Sequence, residues 1–544
     1  MKKITGLLLA VIMTLVLFTG CSRPTTSQTS DGPIVFRYGI RNAWMDSKSP
    51  YTSAWAISSR TYHHNHYEGL MRLDPKLEHA PRLAESWTVS ADGRTWTFNL
   101  RRGVKWHDGQ DFNADDVVFS YKAVLENQLY RYFAEVRDIT DVTKVNDYTV
   151  NIVTRVPRAD YINMFVMEIV PEHIWNVNVT KEDFDAYYDP KMIGTGPWMF
   201  VEESIDEFVR YRANDNYWGG RPKVDEFIYV FFANDDTKLQ ALEAGLIDMT
   251  GLLASQVDYA SRLPGISLIE AGGLRLTELG FNMWQDRRSR GNPLIRDEKR
   301  IRQAIDHAIN YEELIAFAKG GLANMEYGLI PSLAKPFAWT PDNNTKREFS
   351  PQKAIALLES AGFRNVDANG IRSNAAGQRL DFRVSCIESS YRDAALLIQR
   401  YCRDIGINME ITYVDTGRQG DIIENQDFDT DMYYWGWTGD YEDPGFILSV
   451  MTSDQIGGRS DCWYSNPEYD RLFNAQSSIM DLNERIAAVH RMQEIIYEDA
   501  PYLILYTDKT VTAYNSDKWT NLVRMPDLFG DPLNQFSYKS VTRK

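Results

Sequence analysis

Cysteine and positive charge are both scarce in this sequence. Only four cysteines occur in 544 residues, and none are spaced as C-x-x-C. A disulfide-dense scaffold is therefore excluded, and the fold must be held by ordinary burial, which a chain of this length can supply. Acidic residues outnumber lysine and arginine by 75 to 59, for a net charge of −16. This balance argues against a nucleic-acid partner, because neutralising phosphates needs a basic surface.

The short motifs that mark common catalytic sites are also missing. The sequence contains no G-x-x-x-x-G-K-[ST], no H-E-x-x-H and no G-x-S-x-G. Gly194-Thr195-Gly196 lacks the third glycine of a dinucleotide-binding fingerprint and is followed by Pro197. Catalytic triads can be scattered along a chain, but no pattern here supports one. We therefore predict a protein that is not an enzyme and that needs no cofactor.

Long apolar runs are limited to the N-terminus, which excludes a polytopic transporter. Residues 4–18 are almost entirely apolar, too short for a membrane span of about 20 residues but typical of a signal peptide. Small residues then precede Cys21, as in a bacterial lipobox, although Phe18 stands where leucine is usual. We expect a signal peptide over 1–20, lipid on Cys21 and a flexible tether over 21–35. The alternative is a plain secretory signal with a chance cysteine.

The rest of the chain has the composition of a globular protein. With 44% hydrophobic residues and 25% charged residues, its length suggests three to four lobes of about 150 residues each. Residues 95–100 alternate like a strand after an Asp92-Gly93 turn, while Asn113 can cap a helix from Ala114. Strand and helix patterns are mixed in this way throughout, which predicts an α/β class. Once Cys21 carries lipid, at most one disulfide can form among Cys386, Cys402 and Cys462.

Two clusters of polar residues have both a functional and a structural interpretation. His63, His64 and His66 could supply two metal ligands on a strand or a helix, but no nearby residue other than Glu68 completes a site. A structural or solvated histidine group is the simpler interpretation, and we predict no metal. The acidic residues from Asp421 to Asp431 are interpreted as a solvated loop and strand edge.

Eleven short stretches, in order along the chain, carry a resemblance to a known family. Together they resemble the solute-binding proteins of peptide-type ABC importers, often called family 5, from about residue 36 to about 535. The stretches are 67–70 (YEGL), 83–87 (LAESW), 90–98 (SADGRTWTF), 100–109 (LRRGVKWHDG), 113–117 (NADDV), 171–175 (PEHIW), 194–197 (GTGP), 214–220 (NDNYWGG), 241–248 (ALEAGLID), 301–305 (IRQAI) and 500–502 (APY).

The resemblance implies a two-lobed clamshell, like that of periplasmic binding proteins, with an extra third domain. The first lobe would be discontinuous, and the ligand would lie in the cleft between the lobes. Carried onto this chain, lobe I would comprise 36–65, 193–282 and 509–544. The extra domain would span 66–192, and lobe II would span 283–508.

The segment from Trp435 to Pro444 bears on the ligand. It resembles the Trp-x-x-Asp segment by which oligopeptide and dipeptide binders hold the peptide ammonium group. On that match, Asp440 is the partner of the ammonium group, and Trp437 and Tyr441 lie beside it. A buried carboxylate would bind the ammonium group that every free peptide carries, whatever the side chains of the peptide are. The alternative is that Asp440 only shapes a turn.

Two further residues complete the candidate ligand site. Trp435 and Trp437 share a face if the segment is a strand, so that one can pack in the core while the other stacks on the ligand. Arg418 could meet a peptide carboxylate, or it could be an ordinary surface arginine.

The sequence therefore predicts a lipid-anchored, monomeric receptor that faces the periplasm or the cell exterior. It would bind short peptides and deliver them to the transmembrane subunits of an ABC permease. The first alternative is a receptor of the same fold for oligosaccharides or other small solutes, favoured by the 12% aromatic content. The second is a secreted hydrolase or metalloenzyme that uses the histidines near residue 64.

Overall fold

The computed structural model describes most of the chain after the tether. The described residues are 32–41, 49–51, 66–76, 78–176, 184, 191–424, 429–437, 443–523 and 536–544. By its internal contacts the chain divides into Met1–Pro33 and Ile34–Lys544. All elements given below belong to the second unit. The predicted signal peptide, the predicted lipid site Cys21 and nearly all of the tether lie outside the described residues.

The strands of the described residues are numbered in chain order. They are β1 Val35–Arg41, β2 Met71–Leu73, β3 His79–Pro81, β4 Ala84–Val89, β5 Thr95–Leu100, β6 Ile139–Asn146, β7 Thr149–Thr154, β8 Trp198–Ser204, β9 Phe208–Ala213, β10 Glu226–Phe232, β11 Met249–Leu252, β12 Ile266–Phe281, β13 Ala323–Asn324, β14 Asn365–Val366, β15 Arg372–Ser373, β16 Asp381–Ile387, β17 Asn408–Val414, β18 Met432–Trp437, β19 Tyr502–Asn515, β20 Trp519–Thr520 and β21 Thr542–Arg543.

The α-helices of the same residues are numbered likewise. They are α1 Ala114–Asn127, α2 Tyr130–Val136, α3 Glu172–Trp175, α4 Asp235–Glu243, α5 Ala254–Ala260, α6 Pro293–Asp297, α7 Lys299–Ala308, α8 Tyr311–Lys319, α9 Pro351–Ser360, α10 Glu388–Asp404, α11 Thr416–Glu424, α12 Gly445–Ser449, α13 Pro467–Gln476, α14 Leu482–Asp499 and α15 Ser537–Ser540. Two short 3-10 helices span Ala159–Val166 and Ser453–Gln455.

One large sheet is the central structural element of the second unit. Its strand order is β17-β16-β18-β12-β19-β11-β1-β10-β9-β8, and β13 pairs with β19. In one half of this sheet, from β11 to β8, strands from distant parts of the chain pair with each other. Strand β1 pairs in parallel with β10, and the C-terminal part of β19 pairs with β11. The other half contains β16, which runs parallel to β17 and to β18. The sequence-based prediction of an α/β chain is confirmed.

Two long strands join these halves. Strand β12 has 16 residues and β19 has 14, and they pair antiparallel from Ile266↔Asn515 to Gly280↔Tyr502. Their register shifts between Gly272 and Leu276. Beyond that irregularity the other edge of β12 pairs with β18. The chain therefore passes between the two halves of the sheet on adjacent strands.

A separate four-stranded sheet, with the order β4-β5-β7-β6, lies earlier in the chain. The predicted hairpin is present: β4 pairs antiparallel with β5, and Gly93 in the turn has a φ of 69°, which favours glycine. The predicted cap is also present, because the Asn113 side chain accepts a hydrogen bond from the backbone N–H of Asp115. Aromatic and aliphatic side chains of β5, β7 and α1 form a core of their own.

Glu68, beside this second core, is a buried residue whose carboxylate accepts several hydrogen bonds. Its side chain is fully buried, and its Oε1 accepts hydrogen bonds from Arg82 Nε and the Tyr217 hydroxyl, both at 2.9 Å. Its Oε2 accepts hydrogen bonds from the Thr195 hydroxyl at 2.9 Å and from Trp218 Nε1 at 2.7 Å. Four donors thus satisfy one buried carboxylate, and three of them lie more than 120 residues away in sequence.

The three cysteines within the described residues are buried and free. Burial raises the pKa of Cys386 to about 12, so its thiol stays protonated at neutral pH. No helix among the described residues is both long and apolar enough to cross a membrane.

Candidate functional site

The carboxyl ends of three parallel strands meet at one edge of the large sheet. Strands β16, β17 and β18 end there at Ile387, Val414 and Trp437. Helix α10 begins at Glu388, directly after β16. In open α/β sheets this edge is where ligands bind. The sequence-predicted residues Trp437 and Arg418 both lie along it.

The two tryptophans lie on strand β18, so that they share a face, and both are partly buried. Trp435 is opposite Glu278 and Trp437 is opposite Leu276 in the pairing with β12. The indole Nε1 of Trp437 donates a hydrogen bond to Asp461 Oδ2 at 3.2 Å. Its ring meets that of Phe446 edge-on, with 6.1 Å between ring centroids. The Trp437 ring is therefore fixed at both its polar and its apolar side.

The strand leads directly into the segment that carries Asp440 and Tyr441, and both of these residues lie outside the described residues. The chain is next described at Asp443, which is buried. Asp443 Oδ2 lies 2.6 Å from Arg485 Nη2, and its Oδ1 accepts the backbone N–H of Gly445 at 2.7 Å. Burial raises the pKa of Asp443, although Arg485 partly offsets this effect. Trp437 and Asp443, the described residues on either side of 438–442, are therefore each held by side-chain contacts.

Arg418 lies on α11, and its side chain is exposed. It borders an open cavity of about 720 Å³ at the ends of β16 and β17, together with Glu388, Ser389 and Tyr413. It also borders a larger cavity of about 1260 Å³, which Trp284 and Trp463 line as well. Among the described residues its guanidinium makes no ion pair.

Glu278 and Asp461 form a buried acid pair behind the tryptophans. The Glu278 side chain is 0% exposed, and neither of its oxygens has a hydrogen-bond partner among the described residues. Burial raises the pKa of Glu278 well above its usual range, and the nearby Asp461 raises it further, against an opposing effect of Arg275. Burial also raises the pKa of Asp461, to about 7. The pair therefore retains protons at pH values where exposed carboxyls have lost theirs.

This pair predicts that stability falls as the pH rises. Both folded-state pKa values lie above the unfolded values of about 4, so the folded state holds more protons from about pH 4 upwards. The stability lost through Asp461 accumulates up to about pH 7, and that through Glu278 continues towards its own raised pKa. Each linked proton contributes at most about 1.4 kcal/mol per pH unit. We expect Glu278→Gln to reduce the decline in the free energy of unfolding between pH 5 and pH 8.

Urea unfolding at several pH values measures this effect. Glu270→Gln is the matched control, because Glu270 is an exposed glutamate on the same strand, β12. The control should retain the pH dependence of the unsubstituted protein. If Glu278→Gln also retained it, Glu278 would not be the linked group.

Sequence reasoning missed four residues at this edge: Glu278, Asp461, Arg275 and Tyr391. Arg275 is exposed on β12, and its Nη2 donates a hydrogen bond to the Tyr391 hydroxyl at 3.0 Å. Burial raises the pKa of Tyr391 to about 12. One signal in the sequence could have revealed two of the four: Arg275 and Glu278 are charges within an otherwise largely apolar strand.

The two polar clusters noted in the sequence have different outcomes. His63 and His64 lie outside the described residues, and His66 is buried with its Nδ1 3.4 Å from the Trp198 carbonyl oxygen. The solvated interpretation of the acidic run is wrong for Asp431, which is 2% exposed. Its oxygens accept hydrogen bonds from the backbone N–H groups of Asn292 and Arg383, so it joins neighbouring elements.

A two-lobed α/β scaffold with a candidate site at the strand ends is the architecture of an extracytoplasmic solute receptor. Residues 78–459 match the family described as bacterial extracellular solute-binding proteins, family 5 Middle. That match covers more than half of the chain, so the chain belongs to this family. It confirms the resemblance and places the chain among solute receptors rather than in a family of enzymes.

Curated relatives extend the likeness over most of the chain. Heme-binding protein A of Haemophilus influenzae is 25% identical, and the alignment covers 92% of this chain and 93% of the relative. The dipeptide-binding protein of Escherichia coli is 28% identical, with 78% of this chain and 80% of the relative covered. The chain is thus similar to receptors whose names record different solutes.

Solved structures agree on the fold. The oligopeptide-binding protein AppA of Bacillus subtilis, in complex with a nonapeptide, has a TM-score of 0.70 at 24% identity, with 94% of this chain and all of the other covered. CtaP of Listeria monocytogenes has a TM-score of 0.79 at 21% identity, with 94% and 99% covered. The expected fold class, a two-lobed clamshell with an extra domain and a discontinuous first lobe, is confirmed.

Proposed function

We propose that this protein is the receptor of an ABC importer, and that it binds short peptides between its lobes and delivers them to the permease. Three observations support the proposal. The family is one of extracellular solute receptors, several relatives are named for peptides, and the 435–444 segment resembles a peptide-ammonium motif. The observation that carries most weight is that Trp437 and Asp443, which flank Asp440 in the sequence, are both held by side-chain contacts.

Each site residue has a proposed role. Asp440 is the partner of the peptide ammonium group, while Trp437, Trp435 and Tyr441 supply aromatic surface around it. Hydrogen bonds to an extended peptide backbone add affinity that does not depend on the peptide sequence. Arg418, exposed at the same edge, is a cation for the peptide carboxylate.

The remaining sequence predictions belong to this proposal. The protein would be exported by its signal peptide, held at the membrane by lipid on Cys21, and act as a monomer that faces the periplasm or cell exterior. The predicted domain boundaries at residues 66, 193, 283 and 509 stand as part of it. Ligand binding would favour the closed arrangement of the lobes, which the permease recognises.

The first test is calorimetric. The full chain in detergent is unfolded and refolded to remove bound solute, and then titrated with trialanine, N-acetyl-trialanine and a malto-oligosaccharide. We expect trialanine to bind, and N-acetylation, which removes the ammonium charge, to weaken binding by roughly 2–5 kcal/mol. Binding of the oligosaccharide without binding of trialanine would favour the alternative receptor function. The aromatic rings of Trp435 and Trp437 would then be the main contact surface.

A further inference from the structure

Two helices from different hydrophobic cores meet end to end. The 3-10 helix Ala159–Val166 packs its buried side chains into the core beside the four-stranded sheet. Helix α13, Pro467–Gln476, packs against the core of the large sheet. The backbone N–H of Ala159 donates a hydrogen bond to the carbonyl oxygen of Ser477, 2.8 Å away. This bond therefore connects the region of the four-stranded sheet with the region of the large sheet.

The bond joins two backbone groups that helices leave without partners. The first N–H groups and the last carbonyl groups of a helix have no acceptor or donor within it. Ala159 is the first residue of the 3-10 helix, and Arg158 before it provides no side-chain cap. Ser477 is the residue that ends α13. The partial positive charge of one helix end also faces the partial negative charge of the other, which adds to the attraction.

The side-chain contacts around this bond are few. A Cβ atom at Gly93, in the turn between β4 and β5, would lie 3.8 Å from Met480 Cε. Met480 follows Ser477 by three residues and is 46% exposed. A Cβ atom at Gly445 would lie 3.9 Å from Asp160 Oδ2. Backbones with no side chain of their own thus allow the two regions to approach closely on both sides of the bond.

Charges at this junction do not add to the attraction. Asp160 Oδ1 accepts a hydrogen bond from Arg158 Nε at 2.9 Å, within its own region. Asp443 lies 2.6 Å from Arg485, likewise within its own region. Burial raises the pKa of Asp443, Arg485 lowers it, and Asp160 raises it again from the other side of the junction. The two carboxylates therefore repel each other, and the helix ends provide the main attraction.

A junction of this kind can separate without disturbing either core. No buried apolar residue belongs to both cores. The contact between them here depends on one backbone hydrogen bond and one half-exposed methionine. Small, polar contacts between compact parts of a chain allow those parts to move relative to each other.

We propose that the junction of Ala159 with Ser477 is a latch, a contact that holds the extra domain against lobe II while the lobes are closed and that breaks when they open. The latch gives the extra domain a part in the stability of the closed state. The inference depends on the clamshell fold and not on the identity of the solute. It therefore goes beyond the proposed peptide function.

Ala159→Pro removes the donor of the latch. Proline is well tolerated at the first position of a helix. Arg158 already has the extended backbone that a following proline requires, with φ −148° and ψ 136°. Hydrogen–deuterium exchange of the full chain in detergent, without added solute, measures the effect across the junction in residues 477–482. We expect exchange there to become about 2- to 10-fold faster, the change in opening that the loss of one hydrogen bond produces.

Ala254→Pro is the matched control. Ala254 is an exposed alanine at the first position of α5, and the backbone of Leu253 before it is extended. This control should leave the exchange of residues 477–482 unchanged. Met480→Ser weakens the latch from the opposite side and should accelerate exchange in the turn at Gly93. Urea unfolding of each variant checks that the fold is retained, and Met480→Ser decides the question if Ala159→Pro does not fold.

Two results would overturn the inference. Equal exchange of residues 477–482 in Ala159→Pro and Ala254→Pro would show that the junction does not hold the two regions together. Faster exchange along the whole chain of Ala159→Pro would show a general loss of stability instead of an open latch. Neither result bears on the peptide function, because the titration with trialanine tests that function on the unsubstituted protein.

Discussion

Replacing Glu68 with alanine is expected to lower the free energy of unfolding by about 3–5 kcal/mol, the usual loss when one partner of a buried ion pair is removed. The substitution leaves Arg82 buried without its carboxylate, 2.9 Å away in the native protein. It also removes the acceptor of Thr195, Tyr217 and Trp218. Buried donors without a partner each add a cost.

Urea unfolding at pH 7 measures the loss. Glu85→Ala is the matched control, because Glu85 is an exposed glutamate on the nearby strand β4 and should change stability by no more than about 0.5 kcal/mol. Glu68→Gln should fall between the two, since it keeps the size and one acceptor oxygen. Equal stabilities of Glu68→Ala and Glu85→Ala would show that the hydrogen bonds and the ion pair of Glu68 do not stabilise the fold.

Replacing Asp440 with alanine is expected to weaken peptide binding by about 2–5 kcal/mol, the range for loss of a charged partner within an interface. The expectation depends on the proposed role of Asp440 as the partner of the peptide ammonium. The same ammonium is absent from N-acetyl-trialanine. Asp440→Ala should therefore weaken trialanine binding strongly and N-acetyl-trialanine binding little, and the two changes should not be additive.

Two controls isolate the charge of Asp440. Asp440→Asn keeps the shape and tests the charge alone, so its affinity for trialanine should also fall. Asp404→Ala removes an exposed aspartate at the end of α10 and should leave the affinity unchanged. Unchanged trialanine affinity in Asp440→Ala would mean that this residue only shapes the turn before Pro444.

Elements with local signals could be predicted from the sequence. The Asp92-Gly93 hairpin and the helix capped by Asn113 depend on neighbouring residues, and both are present. Helix α9 carries a local signal of the same kind, because the Ser350 side chain accepts a hydrogen bond from the backbone N–H of Lys353. A cap or a turn is determined within a few residues, so its pattern can be read directly.

The structural role of the stretches that resemble the family could not be predicted from neighbouring residues. Glu68, Thr195 and Trp218 come from three separate stretches, yet all three meet at one buried carboxylate. Such long-range contacts leave no periodic pattern in the sequence. These three residues therefore have a structural role in this protein.

The candidate site was predictable in part. The shared face of Trp435 and Trp437 followed from their spacing once the segment was a strand. The hydrogen bond from Trp437 to Asp461 could not be predicted, because 24 residues separate the two in sequence. Arg275 and Tyr391 are 116 residues apart and meet only because β12 and α10 reach the same edge. Arg418 does reach that edge, while its role as a ligand residue stays a prediction.

Native mass spectrometry of the full chain, purified in detergent without unfolding, is the most direct test of the peptide function. Released ligand is fragmented to identify its class. We expect a family of masses that fragment into amino acids and carry free amino and carboxyl ends. A released carbohydrate, or a haem such as the name of the Haemophilus influenzae relative records, would contradict the peptide function and leave only the receptor fold.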